Sequence, residues 1–271
     1  MATDSPTLYA RWLLRGVGGE LTDWAELWAH PESLPEYEAW VALSRRRGGS
    51  ASAAELKYHM TRGLLQEVVY AAGGVESELL RLDAALIDAQ TWTDQAVQAH
   101  STAGEGAHDR YLAAPSLHEA FYAFINMLTW ARAVCERTNR PYRPGDNRRS
   151  GLLPALAAGE LSDQVGAAHS RLLRDLAEVR HMANFALHAG AIPGGGTPSA
   201  RIMPGGGLVV PVPDQLGDRI TTWEEFEFSE GRDMVSFARS IMKAIEAFMD
   251  DVLSAFEAAR PARAGPLAPS S

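Results

Sequence analysis

Apolar residues in this chain recur mostly at intervals of three and four, which is typical of helices with one buried side. The pattern is well developed over residues 162–190, where Ser162 is suited to cap the start of a helix and Gly190 its end. Its apolar positions are Leu172, Leu176, Val179, Ala183 and Ala186. They fall on one side of a helix that turns about 100° per residue, so we predict one continuous helix with that side facing a core.

The same spacing predicts helices over most of the remaining chain. We expect three short helices within residues 4–47, a helix from Ala53 to about residue 98 that is divided at Gly73-Gly74, one over residues 116–137, and one over residues 229–260. The helix at 116–137 is expected to open with a capping box of Ser116 and Glu119.

A glycine-rich turn between apolar residues at 200–212 predicts a small β-hairpin, and residues 220–228 are a candidate for a further strand. The predicted fold class is therefore mainly α, a helical bundle with a small β-hairpin inserted before the last long helix. We expect a helical extension over residues 1–50, the bundle over 51–260, and a disordered Pro/Ala/Ser-rich tail over 261–271.

Charge and composition narrow the classes of function. The net charge of −9 argues against a general DNA coat protein or a binder of anionic membranes. Cys135 is the single cysteine, which excludes an internal disulfide and a thiolate metal site. No apolar run approaches the roughly 20 residues that span a bilayer, and no charged-then-apolar leader opens the sequence. We expect a cytoplasmic protein without a membrane partner, a metal or another cofactor.

Two groups of polar residues are candidates for binding and chemistry. Arg174, His181 and His188 are spaced by seven, so they form a polar line opposite the apolar side of the predicted helix. A second group lies in the loop from Asn139 to Ser150 and comprises Arg140, Tyr142, Arg143, Arg148 and Arg149. Its arginines are suited to hold phosphates and its tyrosine to stack on a base, although an ordinary exposed loop has the same composition.

The central helix resembles the signature helix of the HEPN superfamily, the higher-eukaryote and prokaryote nucleotide-binding domains. Arg174 is followed after six residues by His181, and the pair Arg180-His181 also resembles the start of the family motif, with His188 as its later histidine. The resemblance covers residues 52–260. It implies a helical bundle, a homodimer and a metal-independent endoribonuclease, with toxin or phage-defence roles and an antitoxin or other protein partner.

The chemistry of such a site follows from its residue types. Cleavage of RNA without a metal needs a group that moves the 2′-hydroxyl proton, and histidine, with an ordinary pKa of about 6.5, is suited to this. It also needs a cation at the phosphorane, which Arg174 would supply. His181 would be the base or acid, and His188 or Asn184 would position the substrate. Because this line lies opposite the core, a second protomer would be needed to form a cleft.

Two other interpretations stay open. In the first, Arg174 and His181 are ordinary solvated residues on the polar side of an amphipathic helix, Arg174 and Glu178 form a simple helix-supporting pair one turn apart, and the protein is an inactive nucleic-acid-binding or protein-interaction scaffold. Alternatively, His181 and His188 with His59 or His118 would form a metal triad of a helical hydrolase, although no two histidines show the i,i+3 or i,i+4 spacing common in helical metal sites.

Overall fold

The structure is a computed structural model that describes residues 7–17, 53–103, 115–141, 150–156, 159–189, 201–202, 207–212 and 232–259. Its helices are α1 (Leu8–Val17), α2 (Ala53–Ala103), α3 (Pro115–Thr138), α4 (Leu152–Leu156), α5 (Glu160–Asp175), α6 (Ala177–Ala189) and α7 (Met234–Ala258). The described residues are largely helical, so the predicted mainly α fold is confirmed. Two of the three helices expected within residues 4–47 lie outside the described residues.

β structure in the described part of the chain is limited to two short strands, β1 (Arg201–Ile202) and β2 (Leu208–Val209). They are antiparallel, with Arg201 opposite Val209 and Ile202 opposite Leu208. A ladder of two residue pairs does not support the predicted β-hairpin. The further strand expected near residues 220–228 lies outside the described residues.

The segment after β2 pairs with the residues that lead into α7. The amide of Val212 donates to the carbonyl of Arg232 over 3.1 Å, and the amide of Met234 donates to the carbonyl of Val210 over 2.8 Å. The side chains of Val210 and Val212 are buried. This short extended segment therefore fixes the position of Arg232 at the entrance to α7.

Several helices begin at a different residue from the one predicted. Helix α5 begins at Glu160, and Gly159 precedes it with a φ of 153°, a conformation that side-chain-bearing residues rarely adopt. The carbonyl of Gly159 accepts from the amide of Asp163 over 2.9 Å, so Ser162 lies inside the helix and is not its cap. Likewise α3 begins at Pro115, which places Ser116 within the first turn.

Helix α2 runs without interruption through Gly73-Gly74, so the predicted division at this position is wrong. The reason for a glycine here is packing against α3. A Cβ on residue 74 would lie only 2.5 Å from Cδ2 of Trp130, well inside ordinary van der Waals contact. The glycine makes room for an indole ring and does not end the helix.

The single helix predicted over residues 162–190 is found as two elements, α5 and α6, that meet at Leu176. Helical hydrogen bonding nevertheless continues through this residue, because the amide of Leu176 donates to the carbonyl of Leu172 over 2.8 Å and the amide of Arg180 donates to the carbonyl of Leu176 over 3.3 Å. The predicted apolar side is buried where the side chains are described, at Leu172, Leu176, Val179 and Ala183. No glycine or proline marks the boundary, and the structure offers no physical cause for it.

The chain divides into two compact units, each of which gathers several segments. The first comprises Met1–Val69, Arg137–His169 and Met249–Ser271. Among its described residues Trp12 is buried, and Arg15 donates hydrogen bonds to Asp250, Ser254 and Glu257 of α7. Burial of Trp12 and the ion pairs of Arg15 thus both hold helix α1 in this unit.

The second unit comprises Tyr70–Glu136 and Ser170–Phe248 and contains the candidate Arg/His residues. Its core includes one apolar face of α7, of which Ile241, Ile245 and Phe248 belong to this unit and are buried. Phe237, at the start of the same face, is half-buried and lies 6.1 Å from the ring of Phe124. Among the helices that the structure describes, none is both long enough and apolar enough to cross a membrane.

Candidate functional site

The residues predicted to form one polar line are distributed over two helices. Arg174 lies in the last turn of α5, whereas Arg180 and His181 lie in the first turns of α6. All three side chains are exposed. The side chains of Asn184 and His188 lie outside the described residues, so their proposed roles in positioning substrate stay predictions.

Glu178 is the residue that changes the interpretation of this surface. The simplest structural account of Arg174 pairs it with Glu178, four residues later. Instead, the carboxylate of Glu178 accepts from Nη2 of Arg232, which is 54 residues away in the sequence. Arg174 has no hydrogen bond or ion pair with any residue in the described part of the chain. Its charge is therefore exposed, and no carboxylate among those described residues pairs with it.

The partner of Glu178 is held in place by a series of contacts. The side-chain oxygen of Gln90 on α2 accepts from the amide of Leu208 over 2.6 Å, at the start of the extended segment 208–212. That segment pairs with the backbone of Arg232, as described above. The guanidinium carbon of Arg232 also lies 5.1 Å from the centre of the Phe237 ring, in the range of a cation–π contact. The arginine is thus positioned by backbone and side-chain contacts together.

Burial makes this ion pair stronger than a typical surface pair. The side chain of Arg232 is 25 % exposed and that of Glu178 is 32 % exposed, so both charges are partly removed from water. Glu178 and His181 are three residues apart on α6 and therefore adjacent on its surface. Arg232 consequently brings a second guanidinium group to the surface that carries His181. Sequence reasoning missed Arg232, because no local spacing links it to α6.

Cys135 lies near Arg180 but is not suited to chemistry. It is buried on α3, and burial raises the pKa of its thiol to about 11, although the nearby charge of Arg180 acts in the opposite direction. A thiol with so high a pKa stays protonated at neutral pH and is a poor nucleophile. Cys135 therefore belongs to the core and not to the candidate site.

The arginine loop is described only at its ends. The amide of Gly151 donates to the carbonyl of Arg140 over 2.8 Å, which closes the loop at its base. A Cβ on residue 151 would lie 2.3 Å from the amide nitrogen of Arg140, so this close approach requires glycine. The predicted phosphate- and base-binding residues Tyr142, Arg143, Arg148 and Arg149 lie outside the described residues. Their role stays a prediction, and the loop base belongs to the first unit.

The metal-triad alternative gains no support within the part of the chain that the structure describes. There, no three His, Cys, Asp or Glu side chains come close enough together to hold a metal ion. His118 is exposed at the start of α3, whereas the side chains of His59 and His188 are outside the described set. The hypothesis is thus untested for the full triad.

Comparison of the chain with protein-family models, with curated proteins and with solved structures finds no match. The resemblance to the HEPN superfamily therefore depends on the residues of α5 and α6 alone. Any assignment of function has to be argued from the chemistry of the exposed Arg174 on α5 and of Glu178, His181 and Arg232 at α6.

Proposed function

We propose that this protein is a metal-independent endoribonuclease that uses Arg174 and His181, with Arg180 as the alternative cation of the motif. One observation carries the proposal: Arg174 is exposed and unpaired among the described residues, while Arg232 occupies the carboxylate that would otherwise neutralise it. An exposed guanidinium group that no described carboxylate pairs with is suited to bind a phosphate, and His181 is exposed on the following helix.

The roles of the residues follow from their chemistry. Arg174 would stabilise the charge that develops on the phosphorane, and His181 would transfer the proton of the attacking 2′-hydroxyl or of the leaving group. Both residues are exposed and lie on separate helices, so a second protomer that packs beside them would exclude water and complete a cleft. A homodimer is therefore part of the proposal, as are RNA as substrate and a toxin or defence role with a protein partner that restrains the activity.

The proposal is tested by cleavage of mixed RNA in excess chelator. Arg174→Ala and His181→Ala should each lower the rate by about 100-fold or more, since loss of one such group typically costs this much. Matched controls are Arg239→Ala and His118→Ala, which remove an exposed arginine and an exposed histidine elsewhere. His188→Ala, assayed in parallel, identifies which histidine follows the arginine in the active motif.

A second experiment examines the role of Arg232. Removing it by Arg232→Ala frees the carboxylate of Glu178, which would then compete with the RNA phosphate for Arg174. We expect weaker RNA binding in this variant, and we expect Glu178→Gln in the same chain to restore it. A merely structural role for the ion pair predicts the opposite result, because the double variant would then remain as impaired as the single one.

The outcomes separate the proposed nuclease from the alternatives. Cleavage that survives chelation and is lost with Arg174 and one histidine supports the proposal. If the folded wild type does not cleave RNA, the scaffold interpretation takes its place. Cleavage that chelator abolishes, together with stoichiometric metal in the purified protein, would favour the histidine-triad hydrolase instead.

A further inference from the structure

One face of α2 is exposed over several turns and carries apolar side chains at regular positions. Leu80, Ala84, Ile87 and Thr91 succeed one another at intervals of four, three and four, and all four are exposed. Leu80 is 57 % exposed and Ile87 is 66 % exposed. Intervals of this kind keep residues along one seam of a helix and are the pattern by which two helices pack together. We refer to these four residues as the α2 stripe.

The polar member of the α2 stripe does not oppose such packing. The hydroxyl of Thr91 donates to the carbonyl of Ile87 over 2.9 Å, so its hydrogen bond is made within the helix and its methyl group is available for contact. Ala84 at the middle is small and would let a second helix approach closely. A single convex helix face with a small central residue fits another helix better than an extended peptide or a small ligand.

Charges beside the α2 stripe indicate which helix can pack against it. Arg81 and Asp88 are seven residues apart and therefore lie on the same flank of the stripe. Arg81 is 58 % exposed and uses only Nη1 to bind the carboxylate of Glu78, which leaves Nε and Nη2 for another acceptor. Asp88 is exposed, and none of the residues that the structure describes pairs with it. One flank thus presents one unused donor edge and one unused carboxylate.

We infer that the α2 stripe is the interface of an antiparallel homodimer. A twofold axis beside residue 84 places Ala84 of the two copies together and brings Leu80 of one copy to within about one residue of Ile87 of the other. In antiparallel helices equivalent flanks face each other, so Arg81 of each copy meets Asp88 of the second copy. The face is self-complementary in shape and in charge, as a twofold interface requires. A homodimer is already part of the proposed function; this inference adds the helix face through which two copies meet, and it is argued and tested without reference to RNA cleavage.

The test measures self-association of the full chain by sedimentation equilibrium over a series of concentrations. We expect the wild type to dimerise and Ile87→Glu to be monomeric over the same range. Tyr122→Glu is the matched control, because Tyr122 is a large exposed apolar residue on α3, 65 % exposed, and its replacement should leave the association unchanged. Circular dichroism and thermal melting verify that each exposed-site variant is folded.

Charge reversal then tests the antiparallel arrangement. Asp88→Arg and Arg81→Asp should each weaken self-association by about tenfold, because each turns two attractive pairs into repulsive ones. A mixture of the two variants should associate at least as tightly as the wild type, since both pairs across the axis are then attractive. A monomeric wild type, a dimer indifferent to Ile87→Glu, or a mixture no tighter than its components would overturn the inference.

Discussion

The contact between Gly74 and Trp130 leads to a prediction whose sign is opposite to the usual one. Replacing glycine by alanine inside an uncrowded helix stabilises it by about 1 kcal/mol. At residue 74, however, a Cβ would lie 2.5 Å, 2.7 Å and 2.8 Å from Cδ2, Cγ and Cε2 of Trp130. Carbon atoms in good contact are about 3.5–4.0 Å apart, so the indole ring would have to move by about 1 Å.

Such a displacement has two costs. Overpacking of this kind typically costs about 1–3 kcal/mol. The edge-to-face contact of Trp130 with Tyr70, whose ring centres are 5.6 Å apart, would be disturbed as well, and contacts of this type contribute about 0.5–1.5 kcal/mol. After the gain in helix propensity, we expect Gly74→Ala to lower the free energy of unfolding by about 1–2 kcal/mol.

Gly63 in the same helix provides the matched control. Nothing lies within 4 Å of a Cβ placed on it, so Gly63→Ala should be neutral or stabilising by up to about 1 kcal/mol. Urea unfolding followed by circular dichroism measures both variants, and Trp130→Leu should relieve the penalty of Gly74→Ala. If Gly74→Ala is as stable as Gly63→Ala, or if its cost is unchanged by Trp130→Leu, the reasoning about this contact is refuted.

Two further predictions concern charge and pH. Cys135 should react with a disulfide reagent at pH 8 many times more slowly in the native protein than in denaturant. Its thiol has an ordinary pKa of 9.0 when unfolded and a pKa of about 11 when folded, so the free energy of unfolding should fall between these pH values by roughly 3 kcal/mol. Cys135→Ala should lack this loss. Equal reactivity in both states would contradict the burial argument. Arg15→Ala should destabilise the protein by about 1 kcal/mol at pH 7, because it removes exposed ion pairs to Asp250 and Glu257. The hydrogen bond from Arg15 lowers the pKa of Glu257, so the stabilisation by this ion pair is present above the ordinary glutamate pKa and is lost as the pH falls. The melting temperatures of wild type and variant should therefore converge in acid. A difference that stays constant with pH would count against the ion pair.

Local features of the sequence predicted the helical class and the buried faces of its helices. The burial of Leu172, Val179 and Ile245 follows from spacings of three and four, because a helix repeats every 3.6 residues whatever surrounds it. Helix α2 begins at Ala53, as predicted. Of the candidate site, the exposure of Arg174 and His181 followed from their place opposite these apolar positions.

Features that depend on residues distant in the sequence could not be predicted from the spacing of apolar positions. The pair Gly73-Gly74 is typical of a helix break, but at residue 74 the missing side chain leaves space for the ring of Trp130 on another helix. The boundary between α5 and α6 lies at Leu176, although leucine has a high helix propensity. The partner of Glu178 was expected one turn away and is Arg232, which the extended segment after β2 brings to it. Periodicity reports which side of an element is apolar, whereas only the packed chain decides which distant side chain meets it and which charge is left for a ligand.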